Sequence, residues 1–247
     1  ENIHALFIVV SANQSYKVIK NIIKYKKPFF SEKPAGISLE ESKNLKNLFF
    51  RFKTPNMIGF NRRYYSNFLK GLSIINKNGG IRAINIEGHE RYWLLNKKIN
   101  KQVLKKWSFA NNIHMIDIIL FFVGKIDSFK VYKKSYDGEI NNYVNCSFKS
   151  KSSIIGNYTS YWNSPGGWTI KIYGKKITLV FDPLEKGYLI DSKFNRKKID
   201  FNKYDINYKP GYYLQIKDFV DMIKTNKDVP NLETSYNSMN ICNKIYS

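Results

Sequence analysis

The sequence predicts a mixed α/β fold: a parallel, doubly wound segment followed by an α+β half built on a large, mostly antiparallel open sheet. Three observations carry this. Residues 1–61 alternate strand, helix, strand, helix, strand with short links, the rhythm of crossover connections. After Tyr65 that rhythm breaks. From Ile126 to Ile199, strand-like runs are separated only by turn residues, which reads as an antiparallel meander.

The elements follow in order. Ala5-Leu6-Phe7-Ile8-Val9-Val10 is a continuous apolar run, as in a strand buried on both faces of a parallel sheet. Ser11–Ser15 turns the chain and offers helix caps. Val18, Ile19, Ile22 and Ile23 then share one helical face, with Lys17, Lys20 and Lys24 outside. Phe29-Phe30-Ser31 is a short strand that ends in the Glu32-Lys33-Pro34 corner. Ser38-Leu39-Glu40-Glu41 is a capping box, and Leu45, Leu48, Phe49 and Phe52 follow on one face of the helix that it opens. Asn56–Phe60 is the next strand, leading into Asn61-Arg62-Arg63.

Beyond it, a helix over Ser66–Lys77 stops at Gly79-Gly80. Ile81–Glu87 alternates as a strand, and Asn111–Val123 is a strongly apolar helix ended by Gly124. The meander has its turns at Asp137-Gly138, Ser150–Ser152, Pro165-Gly166-Gly167 and Gly174-Lys175. Helices return over Tyr212–Lys224 and Thr234–Tyr246. The expected division is residues 1–61 and 62–247, with the C-terminal helices able to pack back on the first part.

Composition narrows the function. The 247 residues are 43% hydrophobic and 16% aromatic, enough for a substantial core. No apolar run approaches the roughly 20 residues that span a bilayer, so no membrane role is expected. The two cysteines, Cys146 and Cys242, match no metal spacing and read as reduced thiols of a cytoplasmic protein. A net charge of +22 suggests nucleic acid, but the lysines are spread along the chain among Asn, Ile, Tyr and Phe. All of these residues have AT-rich codons, so a biased genome accounts for the charge, and no nucleic-acid partner is expected.

Two places carry chemistry. Lys33, at the carboxyl end of a parallel strand and fixed by Pro34, is set to reach a ligand crevice; the plainer reading is a surface corner with an ion pair to Glu32. In the helix Asn111–Val123, the positions Asn111, His114 and Asp117 recur every three residues near the start of an otherwise apolar helix. They form either a structural hydrogen-bonded network or a histidine presented to a ligand and oriented by an acid. Gly88-His89-Glu90-Arg91 lacks a second histidine at ligand spacing, so no metal is expected there. Tyr161-Trp162 through Trp168 reads as a hairpin with core or interface tryptophans, although such rings could also stack on a sugar.

Glu32-Lys33-Pro34 after a parallel strand, Gly59-Phe60-Asn61-Arg62-Arg63, and Ile113-His114-Met115-Ile116-Asp117 leading to Gly124 together resemble the Gfo/Idh/MocA oxidoreductase family. Their order and spacing match over nearly the whole chain. The resemblance implies the C-terminal part of a Rossmann domain followed by an α/β domain whose open antiparallel sheet makes oligomer contacts. It implies NAD or NADP as cofactor and a small-molecule carbohydrate, nucleotide sugar or polyol as substrate. By it, Lys33 and His114 are the catalytic pair, and Ser11, Asn13, Glu32 and Lys33 border the cofactor. Arg62, Asn111, His114 and Asp117 are then placed on the substrate side, and a homo-oligomer is expected.

The sequence departs from the family pattern in three respects. Ala110 stands where many members have an aspartate four residues before the histidine. The loop Ser11–Asn13 lacks the family's proline. The Gly-rich turn and the acid of the second strand do not occur in the sequence. Because the chain opens on Glu1 and runs directly into a strand, it reads as lacking a first βαβ unit. Two further hypotheses stand beside the oxidoreductase: a catalytically silent binding or assembly protein of the same fold, and, resting on charge alone, a nucleic-acid binder.

Overall fold

A computed structural model describes residues 3–95, 99–136 and 142–247. From the N-terminus the elements are β1 (Leu6–Ile8), α1 (Ala12–Ile22), β2 (Phe29–Glu32), α2 (Leu39–Phe52), β3 (Asn56–Gly59), α3 (Ser66–Lys77) and β4 (Ala83–Gly88). Then come α4 (Lys101–Leu104), α5 (Ile113–Val123), β5 (Ile126–Lys134), β6 (Tyr143–Ser150), β7 (Ile155–Tyr161), β8 (Trp168–Gly174) and β9 (Ile177–Phe181). The chain closes with β10 (Gly187–Ile190), β11 (Arg196–Ile199), α6 (Lys203–Asn207), α7 (Tyr212–Thr225) and α8 (Leu232–Tyr246). A small parallel sheet and a large, mostly antiparallel one make the α/β fold that the sequence predicts. Two compact units hold them. One gathers Glu1–Asn61, Asn96–Asp117 and Tyr212–Lys244; the other gathers Arg62–Leu95, Ile118–Gly211 and Ile245–Ser247.

The first unit is built on the parallel sheet β1-β2-β3, with Leu6 opposite Phe29 and Phe29 opposite Asn56. β2 lies in the middle, and Phe29, Phe30 and Ser31 are buried. Ile19, Ile23 and Leu45, from the apolar faces of α1, the turn after it and α2, are fully enclosed. At the start of α2 the Ser38 hydroxyl accepts from the Glu41 amide at 3.1 Å. Glu41 reaches back one residue further than a simple capping box, to the Ile37 amide at 2.8 Å. Phe219 of α7 stands edge-on to Phe7 and Phe30, with ring centroids 5.2 and 5.8 Å away. On the far side of the sheet, β3 is tied to the entry of α8. The Ile58 amide donates to Pro230 O at 2.7 Å, and the Asn56 side chain accepts from the Leu232 amide at 2.9 Å.

β1 differs from expectation. It is a three-residue edge strand rather than a doubly buried one, and Phe7 and Val9 are 55% and 73% exposed. The apolar run is as long as expected. What it lacks, among the described residues, is a neighbouring strand on its outer side, so its alternate side chains meet water.

The second unit is built on an eight-stranded sheet among the described residues, in the order β11-β10-β9-β8-β4-β7-β6-β5. The run β5 to β11 does not pair as a simple meander. β4 lies between β7 and β8, parallel to the first and antiparallel to the second. The Pro165-Gly166-Gly167 link therefore joins strands that are not neighbours. One face of the sheet carries the core: Phe68 of α3 packs against Phe181 at 4.7 Å and Phe122 at 5.6 Å. Gly71 permits this approach, since a Cβ there would lie 3.0 Å from the Phe181 ring. α3 ends as expected, with Gly79 and Gly80 at positive φ and the Gly80 amide bonded back to Ile75 O. The expected turn at Asp137-Gly138 lies outside the described residues.

Candidate functional site

β2 ends by delivering Glu32 and Lys33, whose side chains leave in different directions, as neighbours in extended chain do. Glu32 Oε1 accepts from the Tyr212 hydroxyl at 3.4 Å. Lys33 Nζ donates to the Ala110 carbonyl oxygen at 2.7 Å. The corner beyond is pinned: the fully shielded Ser15 hydroxyl of α1 lies 2.8 Å from both the Ala12 and Pro34 carbonyl oxygens. Lys33 thus reaches to another segment of the same unit.

That segment is not the simple helix expected from Asn111 onward. Ser108–Asn112 form a wider π-helical turn, and regular α-helix begins at Ile113. Such turns cluster at functional sites, where they aim backbone groups that an α-helix would keep to itself. α8 holds this turn and the helix after it from one face, because residues four apart on a helix stand side by side. Cys242 Sγ donates to Ser108 O at 3.4 Å, and Ser238 Oγ donates to Asp117 Oδ1 at 2.8 Å. Asp117 is 1% exposed, so its carboxylate needs such a donor. His114 is 5% exposed and stands edge-on to Phe60 at 6.3 Å. Asn111 is half-buried.

The structure therefore gathers Lys33, Ala110, His114 and Asp117 around the opening of α5. An ammonium held by a carbonyl, one turn before a shielded imidazole, can stabilise a developing negative charge and exchange a proton with it. Ser238, Cys242 and Ser15 escaped the reading of the sequence. The signal was there for the first two, small polar residues at i and i+4 on an otherwise apolar helix face.

The remaining candidates divide. Ser11 and Asn13 sit at the carboxyl end of β1, where Ser11 Oγ donates to Asn13 Oδ1 at 2.8 Å. The Ser11 side chain makes no cap bond to α1, so the helix's first amides are left to other acceptors. Arg62 lies in the second unit, its guanidinium 4.3 Å over the Trp168 ring. His89, also there, accepts through Nδ1 from the Tyr161 amide at 3.0 Å and stacks on that tyrosine at 5.0 Å. Burial holds its pKa below the ordinary histidine value, against the opposing pull of Glu87. Among the described residues, no three His, Cys, Asp or Glu side chains converge to hold a metal ion. Trp162 is a core residue, its indole donating to Ser160 Oγ at 2.9 Å and stacking on Tyr92.

No family model and no curated protein matches the chain. Solved structures do. UDP-N-acetylglucosamine 3-dehydrogenase GnnA from Acidithiobacillus ferrooxidans superposes with a TM-score of 0.78 at 14% identity, over 99% of this chain and 78% of that one. Levoglucosan dehydrogenase in complex with NADH and levoglucosan gives 0.82 at 16% identity, over 98% and 77%. An NAD-binding oxidoreductase from Klebsiella pneumoniae gives 0.78 at 13%, over 98% and 77%. At such identities the likeness is one of fold.

Proposed function

We propose, from the fold this chain shares with Gfo/Idh/MocA-type oxidoreductases, that it is an NAD(P)-dependent oxidoreductase acting on a sugar, nucleotide sugar or related polyol. The observation that carries this is the Lys33 ammonium at the carboxyl end of a parallel strand, held by Ala110 O one turn before His114. The residues present fit the nicotinamide end of a dinucleotide. The strand ends of β1 and β2 supply Ser11, Asn13, Glu32 and Lys33, and the first amides of α1 carry no side-chain cap from Ser11. When bound, the cofactor supplies the hydride acceptor or donor. Lys33 polarises the reacting oxygen, and His114 takes or returns its proton. Asn111 and Asp117 would complete the substrate side, Asp117 fixed by Ser238, with Arg62 meeting an anionic substrate group.

On this reading residues 1–61 are dinucleotide-binding and 62–247 serve substrate binding and homo-oligomer contacts through the antiparallel sheet, in a cytoplasmic protein. No helix among the described residues is long and apolar enough to cross a membrane. One observation favours a second reading, a silent binding protein of the same fold. Ala110 offers Lys33 only a backbone carbonyl where a carboxylate would add a charged partner. Titration with NADH and NADPH, followed by turnover of a panel of nucleotide sugars and free sugars, separates the two. Cofactor binding with oxidation or reduction of one panel member supports the enzyme. Binding without turnover of any member supports the silent protein, and absence of both overturns each.

A further inference from the structure

The inner face of α7 carries a polar residue where its pattern calls for an apolar one. Tyr212, Gln215, Phe219 and Met222 recur at i, i+3, i+7 and i+10, along one side of the helix. Phe219 and Met222 are buried, as that pattern requires. Gln215 is buried too, at 0% exposure, and neither its Oε1 nor its Nε2 has a hydrogen-bond partner in the protein. A shielded amide with both ends unpaired weakens the fold that holds it, so its presence needs a reason.

The contacts of α7 locate that amide. Phe219 meets the Phe7 and Phe30 rings, and at the start of the helix the Tyr212 hydroxyl reaches Glu32. α7 therefore runs against the direction of β2. Gln215 stands over the interval between Phe30 and Glu32, whose side chains share one face of that strand. The floor of the interval is Gly59, level with Glu32 in the neighbouring β3. A Cβ there would lie 3.0 Å from Phe30 Cζ and 3.4 Å from Glu32 Oε2, so the carboxylate leans over the space that the glycine leaves. Glu32 Oε1 accepts from Tyr212 at 3.4 Å, longer than an ordinary bond from a hydroxyl. An idle amide and a loosely held carboxylate thus occupy the same stretch of the sheet face.

We propose that Gln215 is a positioning residue for the dinucleotide and acts through Glu32. This rests on the oxidoreductase reading, in which Glu32 borders the cofactor. With dinucleotide bound, Glu32 accepts from a ribose hydroxyl in place of the Tyr212 hydroxyl. Tyr212 then donates to Gln215 Oε1, and Gln215 Nε2 donates to the other oxygen of Glu32. Each group in the run is satisfied, and a charge-assisted bond aims the carboxylate. Without dinucleotide the same amide lowers stability. A residue that gives up stability for binding differs in this from one that only packs.

The test compares wild type with Gln215→Met, which keeps the reach of the side chain and removes both polar atoms. In urea the free variant should unfold at a midpoint no lower than wild type. Its affinity for NADH or NADPH, by fluorescence titration, should fall at least about tenfold, the loss expected for one hydrogen bond to a charged group. A packing role gives the reverse, and either a lower midpoint or an unchanged affinity overturns the proposal. Unaltered protein gives a second readout, through the labelled side-chain amides of its three glutamines. Gln14 and Gln102 are exposed and exchange rapidly with solvent, which identifies the protected pair as Gln215. Saturating dinucleotide should move that pair's signals, and AMP, which lacks the nicotinamide ribose, should not. Dinucleotide binding that leaves the Gln215 signals in place overturns this inference alone. A wild type that binds neither NADH nor NADPH overturns the oxidoreductase reading and this inference together.

Discussion

Lys33 and Ala110, 77 positions apart in sequence, are joined by a hydrogen bond from Nζ to the backbone oxygen at 2.7 Å. The carbonyl gives the ammonium a dipole and adds no charge of its own. The side chain of residue 110 is irrelevant to that bond; the π-helical winding that presents its carbonyl is not.

Lys33→Met should therefore lower kcat on the true substrate by on the order of 100-fold or more, the usual loss on removing one preorganised charged group. Cofactor affinity should stay within a few-fold. Lys33→Arg should restore little, since guanidinium is bulkier and does not give up its proton. Wild-type turnover in Lys33→Met would make the residue a structural corner.

Ser238→Ala removes the hydroxyl that donates to the buried Asp117 carboxylate. A hydrogen bond to a charged group contributes about 1.5–3 kcal/mol. Urea unfolding should show a loss of that order, and Ser238→Thr, which keeps the hydroxyl, should recover much of it. No change in midpoint would show that Asp117 does not depend on Ser238.

His89 sets a pH dependence. Burial depresses its pKa below the ordinary 6.5, and its Nδ1 already accepts from the Tyr161 amide. The unfolded chain takes up the proton first, so this contribution to stability is complete above about pH 6.5 and shrinks as acid is added toward the lower folded value. The urea midpoint should fall between pH 7.5 and 5.5. In His89→Asn, which retains an acceptor but does not titrate, that part of the fall should disappear.

Both thiols should resist modification in the folded protein. Cys146 is 1% exposed with its pKa pushed up to about 11 by burial; Cys242 is fully enclosed and pushed up further for the same reason. Thiolate is the reactive form. Iodoacetamide at neutral pH should label neither until denaturant is added. Rapid native labelling of Cys242 would mean that α8 opens away from Ser108.

Gly156→Ala should be severely destabilising. A Cβ there would lie 2.3 Å from the Phe148 ring and 2.8 Å from Ile84. Phe148 is largely buried, so overpacking of about 1–3 kcal/mol or more is expected in a denaturant melt. A neutral result would show that the Phe148 ring can swing clear.

Local features were the most legible in the sequence. The Ser38–Glu41 cap, the stop at Gly79-Gly80 and the parallel strands β2 and β3 are written in residues close together, and the structure has them. Non-local pairing was hidden. Nothing in Ile81–Glu87 says that it inserts between β7 and β8, because connection length reports neighbours in sequence rather than in the sheet. At the candidate site, Lys33 and His114 stood out by residue type and position. The π-helical turn did not, since an apolar run reads the same whether the backbone winds at 3.6 residues per turn or a little wider. Ser238 and Cys242 show in the sequence only as small polar residues four apart on an apolar helix face. That they face Asp117 and Ser108 is a non-local fact.

Strand β1 lies at the edge of the parallel sheet among the described residues, with Phe7 55% exposed and Val9, just beyond it, 73% exposed. That bears on how solutions of this chain behave. At a net charge of +22, molecules repel one another over a Debye length of about 10 Å at 0.1 M salt and about 3 Å at 1 M. Salt removes that repulsion and leaves the hydrogen-bonding edge and its aromatic side chain untouched. Colloidal stability should then fall as ionic strength rises, so that the protein stays dispersed in dilute buffer and clouds in brine with its fold intact.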